Sequence, residues 1–337
     1  MAERWFLNLI ISCLPDLSYR EKITLCESLG DESDLLQKSV SDIEALVGRE
    51  LKAWNVDSSR RTAERVAEKA RIRGINIVSW QSPLYPPLLR EIYDPPVLLF
   101  FRGKLPDPGK PLVAIVGTRK PSPASSAQAF DIARGLGRGG ISVVSGLAIG
   151  IDSFAHRGNM EGGAPTVAVL GSGVDEVYPS SNRVLALRVL ETGGALLSEY
   201  PPGTGPRKWN FPARNRIISG LSRGVLIAEA PQKSGALITA RFALEQNRDL
   251  WVASAGVEQT PSPPAQGKRF GPFDKRGTSK LADDGAVIIK TASDILEAWN
   301  IRIPEQGPAS EQAHGHERSG GHAIAASLAE SLGVKLL

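Results

Sequence analysis

Cysteine is nearly absent from this chain: 337 residues hold two, Cys13 and Cys26, with no histidine or second cysteine pair at metal-ligand spacing nearby. Histidine is scarce too, and three of the four (His314, His316 and His322) lie near the end, leaving His156 alone in the body of the chain. No metal site and no cofactor are expected, and a reducing cytoplasm suits the two thiols. Long apolar runs are missing too, none approaching the roughly 18 residues that a membrane span requires. The sequence opens Met1-Ala2-Glu3-Arg4-Trp5 without a basic cluster or a signal-like cleavage site. Neither a signal peptide nor a membrane span is expected, and the expected location is cytoplasmic.

Acidic residues are absent from one stretch in particular. Between Arg207 and Arg223 stand Arg207, Lys208, Arg214, Arg216 and Arg223, with no Asp or Glu among them. The formal net charge of +4 is too small to argue nucleic-acid binding by itself. The local concentration makes this segment a candidate anion-binding surface.

What is present is enough to build a core. The 42% hydrophobic content of a chain this long supports two or three domains. From Trp5 to about Gly74 apolar residues recur at helical spacing (Leu7, Ile10, Ile11, Leu14; Ile23, Leu25, Leu29), which predicts a small all-helical domain. Prolines then break the pattern around Tyr85 to Pro96, and Val97 to Phe101 reads as a short buried strand.

Beyond it one theme repeats. Apolar runs at 111–117, 141–146, 164–171, 195–198, 224–228 and 250–253 alternate with helical patterns, and glycines tend to follow them. Continuous apolar strands are covered on both faces, so the expected fold is α/β with a largely parallel sheet. In such sheets ligands bind beyond the carboxyl ends of the strands. After about Asn300 the composition turns to Gly, Ser, His and Glu, which predicts a flexible tail with one short helix near 323–332.

The strand ends therefore carry the candidate site. Gly117-Thr118-Arg119 offers a close backbone approach and a guanidinium that can fork onto phosphate oxygens. Ser145-Gly146-Leu147-Ala148-Ile149-Gly150-Ile151-Asp152 lacks the dinucleotide glycine spacing; Asp152 reads as a helix cap, and His156 as a structural hydrogen-bonding residue. Gly171-Ser172-Gly173 is a further glycine turn. Ser234 and Gly235 open a helix whose N–H groups form an anion nest. Taken singly, each of these also fits an ordinary turn.

The stretch from Lys208 to Arg216 says more. Lys208, Arg214 and Arg216 can hold phosphates, Phe211 or Trp209 can stack on a base, and Asn210 or Asn215 can read a base edge. This is the mixture that a single-stranded nucleic acid requires.

From about Tyr85 to Trp299 the chain resembles the DprA/Smf family of DNA-processing proteins. The resemblance rests on Gly117-Thr118-Arg119, Ser145-Gly146-Leu147-Ala148 with Gly150-Ile151-Asp152 and His156, Tyr178-Pro179, Leu197-Ser198-Glu199, Phe211-Pro212-Ala213-Arg214-Asn215-Arg216, and Ser234-Gly235-Ala236-Leu237-Ile238-Thr239-Ala240, in the family's order. It implies an extended Rossmann-like domain over 81–300 that forms a homodimer, binds single-stranded DNA, protects incoming DNA and loads the RecA recombinase in natural transformation. By motif, Arg119 would contact phosphate, Lys208 and Arg214 would line the pocket and Phe211 would stack on a base. Residues 1–80 look like the SAM-like or helix-hairpin-helix extension of many members. Two features depart from the family: Ser279 stands where it usually has Asn, and the tail after Asn300 shows no winged-helix pattern.

The competing reading is an enzyme of the lysine-decarboxylase-like or nucleotide-phosphoribohydrolase group, which shares the sheet type. Such enzymes need a Gly-Gly-x-Gly-Thr turn with a nearby Glu, and the Ser234–Thr239 segment has neither the second glycine nor a closely following acid. A plain interaction scaffold, in which the basic segment is incidental, is the third possibility.

Overall fold

The computed structural model describes residues 4–257 and 273–301. The expected tail and its short helix at 323–332 lie outside the described residues.

The chain begins with five helices: α1 (Trp5–Cys13), α2 (Tyr19–Ser28), α3 (Glu32–Gln37), α4 (Val40–Val47) and α5 (Val56–Ile72). Short polar residues start most of them. Ser18 accepts the Glu21 N–H while Glu21 reaches back to the Ser18 N–H, Ser39 and Asp42 repeat the arrangement, and Asp31 and Asn55 cap α3 and α5. Each such cap is worth about 1 kcal/mol.

The rest alternates strands and helices: β1 (Asn76–Ser79), α6 (Pro87–Arg90), β2 (Leu98–Gly103), β3 (Leu112–Val116), α7 (Pro123–Arg138), β4 (Ser142–Ser145), α8 (Ile151–Glu161), β5 (Val167–Val169), α9 (Arg183–Glu191) and β6 (Ala195–Ser198). Then come α10 (Asn210–Gly220), β7 (Gly224–Ile227), α11 (Gly235–Glu245), β8 (Asp249–Ala253), α12 (Arg276–Asp283), β9 (Val287–Ile289) and α13 (Ala292–Ala298).

The nine strands among the described residues form one sheet in the order β1-β2-β6-β5-β4-β3-β7-β8-β9. All pairs from β6 to β9 are parallel, and only β1–β2 and β2–β6 run antiparallel. The α/β class with a largely parallel sheet is therefore as expected from the continuous apolar runs. β1 and β9 have no counterpart among the expected strands. Both are edge strands with partly exposed side chains, Val287 and Ile288 among them, so neither carries the apolar run of a strand buried on both faces.

Apolar clusters cover both sides of the sheet. Leu9, Ile10 and Ile11 of α1 share one cluster with Phe100, Leu170 and Leu196, so the N-terminal helices bury their apolar stripe on sheet residues. A second cluster joins Ala114 and Val225 to Ile217 of α10 and Ala240 of α11, and a third joins Val113 and Ile115 to α7, α8 and α13. Helices α7 and α8 touch backbone to backbone at Gly158, where an added Cβ would stand 2.2 Å from the Phe130 carbonyl oxygen.

From β3 the chain runs outward through β4, β5 and β6, then returns to lay β7 on the other side of β3. The carboxyl ends of β3 and β7 thus flank the point where strand order reverses, the place where such sheets hold ligands.

Candidate functional site

A cleft of about 610 Å³ opens at that reversal point. Five segments line it: Val116 to Arg119 after β3, Ala148 and Asp152 around the start of α8, Tyr178 after β5, Lys208, Phe211, Pro212, Arg214 and Asn215 around the start of α10, and Pro231 and Lys233 to Ala236 at the start of α11. A side cavity of about 90 Å³ adjoins it between Gly146, Ile149, Pro179 and Arg214.

The β3 turn is held rigidly. The Thr118 N–H donates to the Glu229 carbonyl at 2.7 Å, and the Thr118 carbonyl accepts the Ile151 N–H at 3.2 Å. Gly117 is required by packing, because a Cβ there would stand 2.6 Å from Ile151 Cγ1. The buried Glu229 carboxylate accepts both the Ser122 hydroxyl, at 2.6 Å, and the Ser122 N–H, at 3.1 Å, and Ser122 caps α7. Arg119 projects from this fixed turn into the cleft and is exposed.

Asp152 does not cap α8 as expected. Gly150, at φ 82°, occupies the cap position, and the Asp152 carboxylate instead accepts the N–H groups of Gly146 and Ala148 at 3.0 and 3.3 Å. It fixes the loop that precedes its own helix. Burial raises its pKa, against the pull of the Arg214 charge and the two N–H donors.

Helix α10 distributes the basic stretch over two faces. Lys208, Phe211, Pro212 and Asn215 are spaced by three and four residues and face the cleft. The Phe211 ring meets Tyr178 at a centroid distance of 5.4 Å and lies against Gly171, where a Cβ would stand 2.9 Å from the ring. Asn210 is buried and donates its amide to the Gly171 carbonyl at 2.9 Å, setting the start of the helix.

Arg214 forms the floor. It is buried and donates Nη1 to the carbonyls of Gly146 (2.9 Å) and Val169, and Nε to Asn215 Oδ1 at 3.2 Å. Burial pulls its pKa down to about 10, so it stays charged at neutral pH.

Arg216 lies outside the cleft. It pairs with Glu199 at 2.6 Å and Asp94 at 3.0 Å, and its guanidinium sits 4.6 Å from the Tyr19 ring centroid. Burial alone would lower the Arg216 pKa; the Glu199 carboxylate and its hydrogen bond outweigh that and raise it. Tyr19 is pushed up to about 12 by burial and by Glu199. Ser145 and Gly173 also sit behind the cleft wall: the Ser145 hydroxyl donates to the Ile115 carbonyl at 2.7 Å, and Gly173 packs against the Pro201 carbonyl.

At the remaining wall Ser234 caps α11, and Gly235 has open space around its Cα. The Gly235 carbonyl accepts from Asn215 at 3.2 Å, which joins α10 to α11 across the cleft.

Most of the candidate residues thus converge: Gly117, Thr118, Arg119, Lys208, Phe211, Arg214, Asn215, Ser234 and Gly235 line one cleft, and Gly146 lines its side cavity. Lys233 and Tyr178 line it too, although the sequence did not single them out as contacts. Lys233 carries no signal beyond preceding a helix start, and Tyr178 becomes relevant only through its contact with Phe211. Arg119, Lys208 and Lys233 are exposed and make no ion pair among the described residues. Asp152 is the one acid lining the cleft among those residues, and its carboxylate is engaged with backbone N–H groups.

His156 is wholly buried behind this wall and serves the structural role expected. Its Nδ1 stands 2.8 Å from the Thr166 hydroxyl, which itself donates to the Val143 carbonyl. Nδ1 is therefore the protonated nitrogen. Among the described residues no His, Cys, Asp and Glu cluster could hold a metal ion, and no helix is long and apolar enough to cross a membrane.

Residues 59–300 match the family model described as DNA recombination-mediator protein A. The Smf protein of Synechocystis is 43% identical over 230 residues, which cover 67% of this chain and 54% of that protein, so the chain spans about half of this relative's length. The structure of DNA processing protein A from Streptococcus pneumoniae superposes with a TM-score of 0.67 at 32% identity, covering 86% of this chain and 95% of that one. The Helicobacter pylori DNA processing protein A, whose structure is described in terms of its single-stranded DNA binding mode, superposes with a TM-score of 0.55 at 28% identity. It covers 67% of this chain and 95% of that one.

Proposed function

This chain belongs to the DNA recombination-mediator protein A family, and from that premise we propose that its cleft binds single-stranded DNA as a DNA-processing protein. The observation that carries the reading is the composition of the cleft. Three exposed cations, Arg119, Lys208 and Lys233, surround the Phe211–Tyr178 ring pair, and the N-terminus of α11 closes one side. Cations and helix N–H groups suit phosphates, and a ring in a basic groove suits an unpaired base. A duplex would leave the ring without a partner.

In this reading Gly117, Thr118, Arg119, Lys208, Phe211, Asn215, Ser234 and Gly235 contact the strand. Arg214 supports the floor while adding positive potential, and Ser145, Gly146, Gly171, Gly173, Asn210 and Arg216 hold the walls in shape. The full role follows the family resemblance: a cytoplasmic homodimer that protects incoming DNA, hands it to RecA during transformation and recombination, and catalyses no reaction itself. The single-stranded DNA binding mode of the Helicobacter pylori protein supports the choice of ligand. Against the hydrolase reading, the Glu229 carboxylate before the α11 turn is buried and engaged by Ser122.

The deciding experiment is a fluorescence-anisotropy titration of a labelled oligothymidylate with the wild-type protein and Lys208→Ala at two salt concentrations. Tight, salt-sensitive binding that weakens in the variant is expected. Equal affinity of the two proteins would remove the assignment.

A further inference from the structure

The loop leading into α10 carries the indole of Trp209, 68% exposed. The exposed tyrosine rings among the described residues are engaged: Tyr93 is covered by the Arg20 guanidinium at 3.7 Å, Tyr19 by Arg216, and Tyr178 rests on Phe211. Trp209 has the Arg207 guanidinium beside it, 5.8 Å from the ring centroid, and this arginine is itself exposed and free of ion pairs among the described residues. An indole left in water costs hydrophobic free energy that a stacked partner would recover.

Its position relative to the cleft is set by helical geometry. Lys208, Phe211 and Asn215 face the cleft, whereas Trp209, in helical conformation (φ −76°, ψ −20°), heads the adjacent stripe that continues through Ala213 to Arg216. Arg216 meets Tyr19 of α2, so this stripe borders the N-terminal helices. A further exposed cation lies at the far end of the loop that leads to Trp209. The loop that ends at Trp209 starts beside α5, where Lys69 Nζ lies 3.2 Å from the position a Cβ on Gly203 would take. The nearby carboxylate of Asp175 is occupied by Arg73 and the Gly203 N–H.

We infer that Trp209, with Arg207 and Lys69, is a second stacking platform that takes a single strand as it leaves the cleft past Lys208 toward the N-terminal helices. This rests on the reading of the cleft as a single-strand site. Charge complementarity selects the occupant: a bare protein-docking tryptophan does not need exposed, unpaired cations next to it, Arg207 and Lys208, and a polyanion does.

The test uses two oligothymidylates, of four and twenty nucleotides, with the full chain. Trp209→Ala, at an exposed position, is expected to weaken binding of the twenty-mer about tenfold, as the loss of one stacked base does, and to leave the four-mer unchanged. Trp209→Tyr should restore most of the loss, and Arg207→Ala should weaken the twenty-mer and reduce its salt dependence. Phe211→Ala should weaken both lengths. If Phe211→Ala weakens both while Trp209→Ala binds the twenty-mer like wild type, the platform is overturned, the cleft stands, and the indole is left as an anchor for a protein. If Phe211→Ala changes neither length, the cleft reading itself fails.

Discussion

The Arg214 guanidinium lies directly over Gly146, donating Nη1 to its carbonyl at 2.9 Å, and a Cβ on Gly146 would stand 2.6 Å from Nη2. Neither residue can change without the other, since the guanidinium is buried and held by two carbonyls. Gly146→Ala is therefore expected to expel the guanidinium from its seat, costing about 1–3 kcal/mol as overpacking does. Oligonucleotide affinity should fall with it. Urea unfolding and the anisotropy titration measure the two effects; an unchanged midpoint would mean that the floor can yield.

Charge and stacking separate by their salt dependence. Arg119→Ala, which would remove the proposed phosphate contact, should lower the slope of log affinity against log salt by about 0.7. Phe211→Ala should cost about 1–3 kcal/mol with that slope intact. If both variants flattened the slope equally, Phe211 would be acting on the cations and not on a base.

His156 makes stability depend on pH. Burial, then the Arg214 charge, lowers its pKa from 6.5 to about 3, so it is neutral in the fold while the unfolded chain takes up a proton below about 6.5. Between the two values the unfolded state binds more protons, so the contribution is complete above pH 6.5 and is lost as pH falls toward 3. Unfolding free energy should drop by about 1.4 kcal/mol from pH 7.5 to about 5.5, and the drop should vanish in His156→Gln. The same drop in both proteins would assign it to another group.

The Arg216–Glu199 pair ties the start of α2 to the sheet, because the Tyr19 hydroxyl also donates to Glu199, at 3.1 Å. Glu199→Ala leaves a buried guanidinium with Asp94 alone and should cost about 3 kcal/mol. Since Arg216 lies outside the cleft, the oligonucleotide salt slope of the folded variant should match wild type. Calorimetry and the titration check the two halves.

Much of this architecture is legible in the residues alone. Strands buried on both faces read as unbroken apolar runs, and β2 to β8 follow those runs closely; Gly117, Gly146 and Gly171 stand where a Cβ would collide. The edge strands β1 and β9 escape such a reading because a half-exposed strand of three or four residues has no such run. Asp152 is ambiguous for a different reason: a carboxylate beside a helix start can bind the turn on either side of it, and only coordinates show which.

Residue types alone set the α/β class, the turns at the strand ends and the acid-free basic stretch before β7. What each cation in that stretch faces depends on how the elements pack. The phase of α10 against the sheet sends Lys208 to an open cleft and Arg214 to its floor, while Arg216 meets Glu199 and Asp94, carboxylates supplied by segments outside its own helix. Residue type sets the charge, and the fold sets which charges remain free for a ligand.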